Sequence, residues 1–312
     1  MTPLTLQPIP YQGSKRGLAP RLCRLFPRDI ETLYEPFAGS AAVSLYAARY
    51  SLARRFVISD IYPALASLWS AIINEPEKIS AQYRDLWLAQ FSAGPAHFNQ
   101  VRAHFNNDRD PASLLYLIAR CVKNAVRFNR EGSFTQSVDK RRNGMHPDRF
   151  EATAHIASQL LRGKTEVMCA DFSECLSNAR AADLVYMDPP YQGTTYGRDK
   201  RYAAQLERER LVACLHDLNE RRIRFILSYD GKTGEKEYGE RLPHDLGAAH
   251  LYIHAGRSSQ ATLIGRNEQT LESVYISTGI REGLPKLPNY ECSLSKTQGE
   301  LFFQNPLDVI RN

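Results

Sequence analysis

Ala182-Asp183-Leu184-Val185-Tyr186-Met187-Asp188-Pro189-Pro190-Tyr191 is a short apolar run that ends in an acid, two prolines and an aromatic. The run predicts a buried strand over Leu184–Met187. The prolines end it, because they donate no ladder hydrogen bonds. They also stiffen the backbone, so that the Asp188 carboxylate and the Pro189 carbonyl face one spot beside the flat face of Tyr191. Two fixed acceptors under a stacking surface suit a planar group that carries an amine, such as an adenine ring. Taken alone, the tetrapeptide is better read as a strand followed by a proline-rich turn with Tyr191 packed nearby, since short motifs match by chance.

Working outward, three more short apolar runs end in an acid. Thr32-Leu33-Tyr34 leads into Glu35, Arg55–Ser59 into Asp60, and Glu166–Ala170 into Asp171. Apolar strands that alternate with helical stretches predict a parallel sheet covered on both faces. Ligands of such sheets sit beyond the carboxyl ends of the strands, so the four acids are expected along one edge. Helical periodicity falls at Ala64–Ile73, Ala112–Val126 and Pro147–Leu161. The stretch between the second and third strands is far longer than a crossover needs. It is therefore read as an inserted domain over 74–147, flanked by catalytic segments 1–73 and 148–312. Later strands are expected at Ile223–Ser228, His250–Ala255 and Leu271–Ser277, the last two as an antiparallel hairpin turning through Gly256–Gly265.

The 312 residues, 43% hydrophobic and 24% charged, are ordinary for a water-soluble globular chain with a sizeable core. No run approaches the length of a membrane span, and Met1–Pro8 lacks the basic and apolar regions of a signal peptide. The six cysteines are scattered, without a C-x-x-C pair, which favours reduced thiols over disulfides or zinc. His250 and His254 are spaced for a helix but lie in an expected strand, so no metal site is read there. The net charge of +6 is concentrated. Within 120–149, Arg120, Lys123, Arg127, Arg130, Lys140, Arg141, Arg142 and Arg149 face only Glu131, Asp139 and Asp148. Interleaved with Phe128, Phe134, Asn129 and Ser133, this segment suits a phosphate backbone with polar groups left for base edges, although charge alone favours a solvated basic loop. Alanine at both Arg141 and Arg142 is expected to weaken any nucleic-acid binding by this segment and flatten its salt dependence.

Glu35-Pro36-Phe37-Ala38-Gly39-Ser40-Ala41-Ala42-Val43 joins the first strand to a helix. Gly39 permits a tight turn and close approach of a ligand, and Ser40 is the expected helix cap. Asp60 lies where doubly wound folds place an acid on ribose hydroxyls. There is no G-x-G-x-x-G and no Walker loop, which disfavours a nicotinamide enzyme without removing it. A ligand without a pyrophosphate, such as S-adenosylmethionine, needs fewer glycines. Tyr11-Gln12-Gly13-Ser14-Lys15-Arg16 sets a glycine turn beside a lysine, which suits a carboxylate as well as it suits a capped basic helix start.

These four segments, in this order, resemble the N6-adenine DNA methyltransferases of the DNA adenine methylase family, alpha class, from Tyr11 to at least Tyr191. The resemblance implies a Rossmann-like class I S-adenosylmethionine-dependent methyltransferase sheet, α/β, with an inserted, mainly helical target-recognition domain. It assigns Tyr11, Gly13 and Lys15 to the amino-acid end of the cofactor. Glu35, Phe37 and Gly39 fall beneath the cofactor, Asp60 on its ribose, and Asp171 and Phe172 at its adenine. Asp188, Pro189, Pro190 and Tyr191 form the catalytic set, with Asp188 also touching the cofactor. Arg127–Phe134, including Arg130, is similar to the loop that enters the duplex beside the target base, and Lys123, Lys140, Arg141 and Arg142 extend it. Two departures stand out. Ala41 replaces a second glycine, and Thr135-Gln136-Ser137 replaces Asn-x-Pro. The implied partner is double-stranded DNA in a bacterial or phage-like cytoplasm, without membrane or metal. A cognate restriction endonuclease and the oligomeric state are left open. So are transfer to cytosine N4 or RNA, and an inactive nucleic-acid-binding relative of the same fold.

Overall fold

The computed structural model describes residues 6–129, 131–190, 207–233, 236–238, 241–257, 269–281 and 301–302. Four strands match the acid-terminated runs: β1 Ile30–Glu35, β2 Ala53–Asp60, β3 Thr165–Cys169 and β4 Leu184–Met187. Four more follow at β5 Arg224–Thr233, β6 Lys236–Tyr238, β7 Ala249–Arg257 and β8 Gln269–Ile276, and β9 is Leu301–Phe302. Among the described residues they form one sheet in the order β3-β2-β1-β4-β5-β8-β7-β9, with β6 paired to β5. The first five strands in this order are parallel, and β8 enters antiparallel to both β5 and β7. The expected hairpin strands therefore pair as read, while 258–265 of their expected turn lie outside the described residues.

Period-two alternation divides each central strand between two cores. Leu33, Phe56, Ile58, Leu184, Tyr186 and Ile226 turn to one face; Tyr34, Val57, Val185, Met187, Phe225 and Leu227 turn to the other. Leu184, Val185, Tyr186 and Met187 are each fully buried, as a central parallel strand requires. The chain enters at β1, moves outward through β2 and β3, then returns to the other side of β1 at β4. The order reverses there, and a crevice opens beyond the carboxyl ends of β1 and β4.

On the first face lie α1 Ala19–Leu22, α2 Ala42–Arg49, α3 Pro63–Asn74 and α7 Pro147–Leu161. The long connection supplies α4 Pro76–Ala93, α5 His97–Asp108 and α6 Pro111–Arg120 between α3 and α7. The second face is covered by α8 Phe172–Cys175 and α9 Arg208–Glu220. Trp69, Tyr83, Phe105, Tyr116 and Phe150 are fully buried in one continuous core that runs from the sheet into the inserted helices. The Tyr83 hydroxyl donates to the Met145 carbonyl at 2.6 Å, and the Ser158 hydroxyl to the Ile73 carbonyl at 2.6 Å. Helices α4–α6 thus rest on the sheet layer through shared apolar burial.

Two local expectations are corrected. The helix expected over Ala112–Val126 ends at Arg120. Cys121 turns extended, and Lys123 and Asn124 both have positive φ. The Asn124 amide donates to the Ile118 carbonyl at 2.8 Å, and Arg142 reaches the Cys121 carbonyl at 2.9 Å. These donors satisfy carbonyls that further helix would have used. Ser40 does not cap α2: Ala41 holds the cap position with φ 44° and ψ 39°, and the Ser40 hydroxyl donates instead to the Ser14 hydroxyl at 2.8 Å. The left-handed backbone at Ala41 accounts for a glycine at this place in the resembling family, since a Cβ there costs about 1–2 kcal/mol. Ala41 takes up the turn despite its methyl, which is fully buried.

Candidate active site

All four strand-terminal acids reach one pocket. Glu35, Asp60, Asp171 and Asp188 line it, together with the Tyr11–Lys15 segment, Phe37, Gly39, Pro189 and Pro190. Every described residue singled out above for cofactor or catalysis is therefore brought together. Tyr191 and Arg130 lie outside the described residues.

The turn after β1 is built around Gly39. Its φ is +47°, and an added Cβ would meet the Tyr11 ring at 3.4 Å. Its amide donates to Asp60 Oδ2 at 3.2 Å, and its carbonyl accepts from the Trp69 indole at 2.9 Å. The Tyr62 amide holds the other Asp60 oxygen at 3.1 Å. Burial dominates over these donors and pushes the Asp60 carboxyl up to about 6. Glu35 is more deeply placed, 3% exposed, and accepts from the Ser44 amide at 2.9 Å. Burial pushes it up to about 7.

Asp171 caps α8 by accepting from the Ser173 amide at 3.1 Å. The next residue, Phe172, stacks on Phe37 with ring centroids 5.4 Å apart and an interplanar angle of 28°. Ile61, at the same rim, is 48% exposed and presents an apolar surface to the pocket. Arg210 of α9 pairs with Asp171 at 2.8 Å and lies over the Phe172 ring at 5.2 Å from its centroid. Nothing in the polar stretch around Arg210 marks it from sequence.

At the other end of the pocket, Lys15 Nζ lies 2.9 Å from Asp188 Oδ1 and 3.1 Å from Glu272 Oε1. Burial works against the ammonium, but Asp188 and then Glu272 outweigh it and hold its pKa above the ordinary lysine value. Beneath it the Tyr186 and Ser228 hydroxyls lie 3.1 Å apart, and burial raises the tyrosine well above its usual range. The sequence reading missed Glu272. A signal was present: Glu272 has the same strand parity as Val274 and Ile276, which face the first core. A lone charge on an apolar parity marks a buried pair.

The basic segment abuts the pocket. The Gln12 amide donates to the Asn124 carbonyl at 3.0 Å, and Phe128 packs on Tyr62 at 4.8 Å between centroids. Phe128 pairs with Phe134 across a tight loop. Asn129 Oδ1 accepts from the Glu131 and Ser133 amides at 3.0 and 2.8 Å and shapes that loop. Lys123, Asn129, Lys140, Arg141 and Arg142 are exposed, while Arg127 and Ser133 are half-buried. Arg142 differs from the others. Its guanidinium is spent within the chain, on Asp139 at 3.0 Å, Asn124 at 3.2 Å and the Cys121 carbonyl at 2.9 Å. Arg141 grips the same carboxylate with two donors at 3.0 Å. Since Arg141 and Arg142 both bind Asp139, their joint replacement also removes contacts within the chain, and Lys140 is the cleaner probe of phosphate contact. Arg142→Ala is expected to lower the melting temperature by several degrees through loss of the staple, whereas Lys140→Ala leaves it within a degree or so and reduces the salt slope of DNA binding. Thermal melts and DNA titrations at several salt concentrations check both; equal melts for the two variants would remove the staple.

With this geometry in place, comparison with known proteins decides the family. The family model for the D12 class N6 adenine-specific DNA methyltransferase matches residues 11–258. The chain belongs to that family. It is 27% identical over 195 residues to the retron Ec67 DNA adenine methylase of Escherichia coli, a match covering 61% of this chain and 65% of that protein. It is 25% identical over 262 residues to the DNA N-6-adenine-methyltransferase of Escherichia phage P1, covering 80% of this chain and 32% of the relative. The modification methylase LlaI of Lactococcus lactis subsp. lactis is 26% identical over 242 residues, with 72% and 38% covered. The matched region thus spans between about a third and two-thirds of these relatives. The family match covers the Tyr11–Lys15, Glu35–Gly39 and Asp188–Pro190 segments and the whole basic stretch 120–149. Among the described residues no group of histidines, cysteines and acids could hold a metal ion, and no helix is long and apolar enough to cross a membrane.

Proposed function

We propose that the chain is a site-specific DNA adenine-N6 methyltransferase that uses S-adenosylmethionine and acts on an adenine flipped out of duplex DNA. The observation that carries this reading is the Asp188 carboxylate, held by Lys15 at 2.9 Å on the wall of a pocket that three further acids and a stacked phenylalanine pair also line.

The donor set fits the cofactor. When bound, S-adenosylmethionine supplies an electrophilic methyl on a sulfonium, with an ammonium at one end and ribose hydroxyls and adenine at the other. Glu35 and Asp60 offer anionic acceptors for the ammonium and ribose, and the exposed Ile61 with Phe37 and Phe172 offers flat apolar cover for a ring. Gly13 and Gly39, both at positive φ, make the turns that line the pocket, and Gly39 lets the Tyr11 ring pack close against it. Asp171 is a hydrogen-bond acceptor for an adenine amine, and Arg210 covers the neighbouring ring.

Asp188 and the Pro189 carbonyl accept the two N–H bonds of the target amine. That draws the nitrogen lone pair out of conjugation and aims it along one line, so positioning supplies much of the rate. The fixed carboxylate also stabilises the positive charge that grows on the nitrogen. Asp188 need not be a strong base, since the proton leaves after transfer. Tyr191 would stack on the flipped base. The insertion over 74–147 recognises the target, with Arg127–Phe134 entering the duplex and Lys123, Arg130, Lys140 and Arg141 following phosphates. Arg142 acts there by holding the loop.

The test is transfer of tritium from labelled S-adenosylmethionine into unmethylated genomic DNA, followed by nucleoside analysis. Label in N6-methyladenine is the expected result. Label in the cytosine amine, or none with measurable cofactor binding, would overturn it.

A further inference from the structure

Glu272 lies outside the pocket lining, yet it shares a buried lysine with the residue placed at the reaction. Its side chain and that of Lys15 are each 9% exposed, whereas that of Asp188 is 21% exposed and reaches the pocket. The lysine is therefore a bridge with one end at the chemistry and the other inside the sheet. Glu272 pairs in register with Gly231 of β5, beside a shift in the β5–β8 ladder. A Cβ at Gly231 would come within 2.7 Å of the Leu271 carbonyl, so glycine lets the strands close at this point. An ion pair used only to join strands is a poor bargain here, because a matched apolar pair commonly serves as well or better in a core.

We infer that Glu272 is a positioning residue for Asp188, acting through Lys15. It takes a share of the ammonium and leaves the Asp188 carboxylate able to accept from the target amine. This rests on the function proposed above. In the transfer the N6 lone pair forms the N–CH3 bond as the S–CH3 bond breaks, and the electron pair of that bond stays on sulfur. The nitrogen becomes cationic until one of its protons leaves to solvent. Asp188 stabilises that charge only to the extent that its own charge is not consumed by Lys15. Glu272 divides the lysine between two carboxylates and fixes its distance from Asp188.

The test compares wild type, Glu272→Gln, Lys15→Met and the Lys15→Met/Glu272→Gln double variant. The readouts are single-turnover methylation at saturating S-adenosylmethionine and DNA, cofactor affinity by calorimetry, DNA affinity, and the pH dependence of the rate. Glu272→Gln is expected to slow methylation about ten- to a hundred-fold while both affinities change less than about three-fold. The double variant, in which Asp188 no longer faces a lysine it must satisfy alone, is expected to be faster than Glu272→Gln. Lys15→Met leaves Asp188 facing Glu272 without the bridging charge, so its rate is expected to rise with pH where that of the double variant is flat. If Glu272→Gln does not fold, Lys15→Met against the double variant decides in the same way, with the double expected to be faster. A wild-type rate in Glu272→Gln, or a double variant no faster than either single, overturns the role of Glu272. A wild-type chain that binds cofactor but transfers nothing to adenine overturns the proposed function, and the inference with it.

Discussion

Replacing Asp188 by alanine is expected to lower single-turnover methylation by about a hundred- to a thousand-fold, in line with the roughly 2.7–4 kcal/mol attached to a preorganised group at a developing charge. The fold is expected to survive. A buried ion pair that loses one partner commonly strands the other, at a cost of about 3–5 kcal/mol. Here Lys15 retains Glu272 at 3.1 Å, so removal of Asp188 leaves the ammonium paired. Cofactor affinity is expected to fall only a few-fold, because Glu35, Asp60 and Asp171 lie on other strands and hold their own donors. Asp188→Asn keeps the volume and one acceptor, and is expected to fall between wild type and alanine. Methylation rate, thermal melt and calorimetric titration on the same preparations separate these effects. Full activity in Asp188→Ala would remove the site.

The second large effect belongs to Glu35. Its carboxyl titrates near 7 in the folded chain against an ordinary 4.5, because burial disfavours the charge more than the Ser44 amide supports it. The folded state therefore holds the proton more tightly than the unfolded state. The stabilisation from that proton is complete below about 4.5 and is lost as pH rises through 7. At pH 8 the ionised carboxylate costs the unliganded fold on the order of 3 kcal/mol. Glu35→Gln is accordingly expected to raise stability at pH 8 by roughly 2 kcal/mol, or about 4–8 °C, and to change little at pH 4.5. The same substitution removes the anion proposed to face the cofactor ammonium. Affinity for S-adenosylmethionine is expected to drop at least about ten-fold, an exchange of stability against binding often found at ligand sites. In the wild type a cationic ligand draws Glu35 and Asp60 toward ionisation, so binding is expected to release protons between about pH 6 and 7 and to tighten as pH rises through that range. Calorimetry in buffers of different ionisation enthalpy measures the protons directly. No proton release, together with an unstabilised Glu35→Gln, would place the ligand charge elsewhere.

Much of this molecule is legible along the chain because its information is local. Short apolar runs ended by Glu35, Asp60, Asp171 and Asp188 predict both the parallel strands and the edge where they meet, since a parallel sheet sends every strand to the same side. The antiparallel pairing of β7 and β8 follows from two apolar runs around a glycine-bearing connection. The helix end at Arg120 was misread because the groups that stop it come from elsewhere. Arg142, on the far side of the loop, takes the Cys121 carbonyl, and Asn124 folds back on Ile118. The cap of α2 was misread because Ser40 has a better partner in Ser14, 26 residues earlier.

By itself, then, the sequence determined the sheet, the edge that carries the acids and the family's motif set, all of which depend on residue type and short spacing. Only the tertiary structure decided what each charge does. Arg142 and Arg141 read alike as basic loop residues, yet Arg142 ties Asp139 to Asn124 and the Cys121 carbonyl, whereas the hydrogen bonds described for Arg141 go to Asp139. Lys15 reads as a cofactor lysine, and within the pocket it also joins Asp188 to a glutamate 257 positions away in the chain. Charge is a property of the residue, but the work it does depends on which groups the fold brings within about 3 Å and how far water is kept from them.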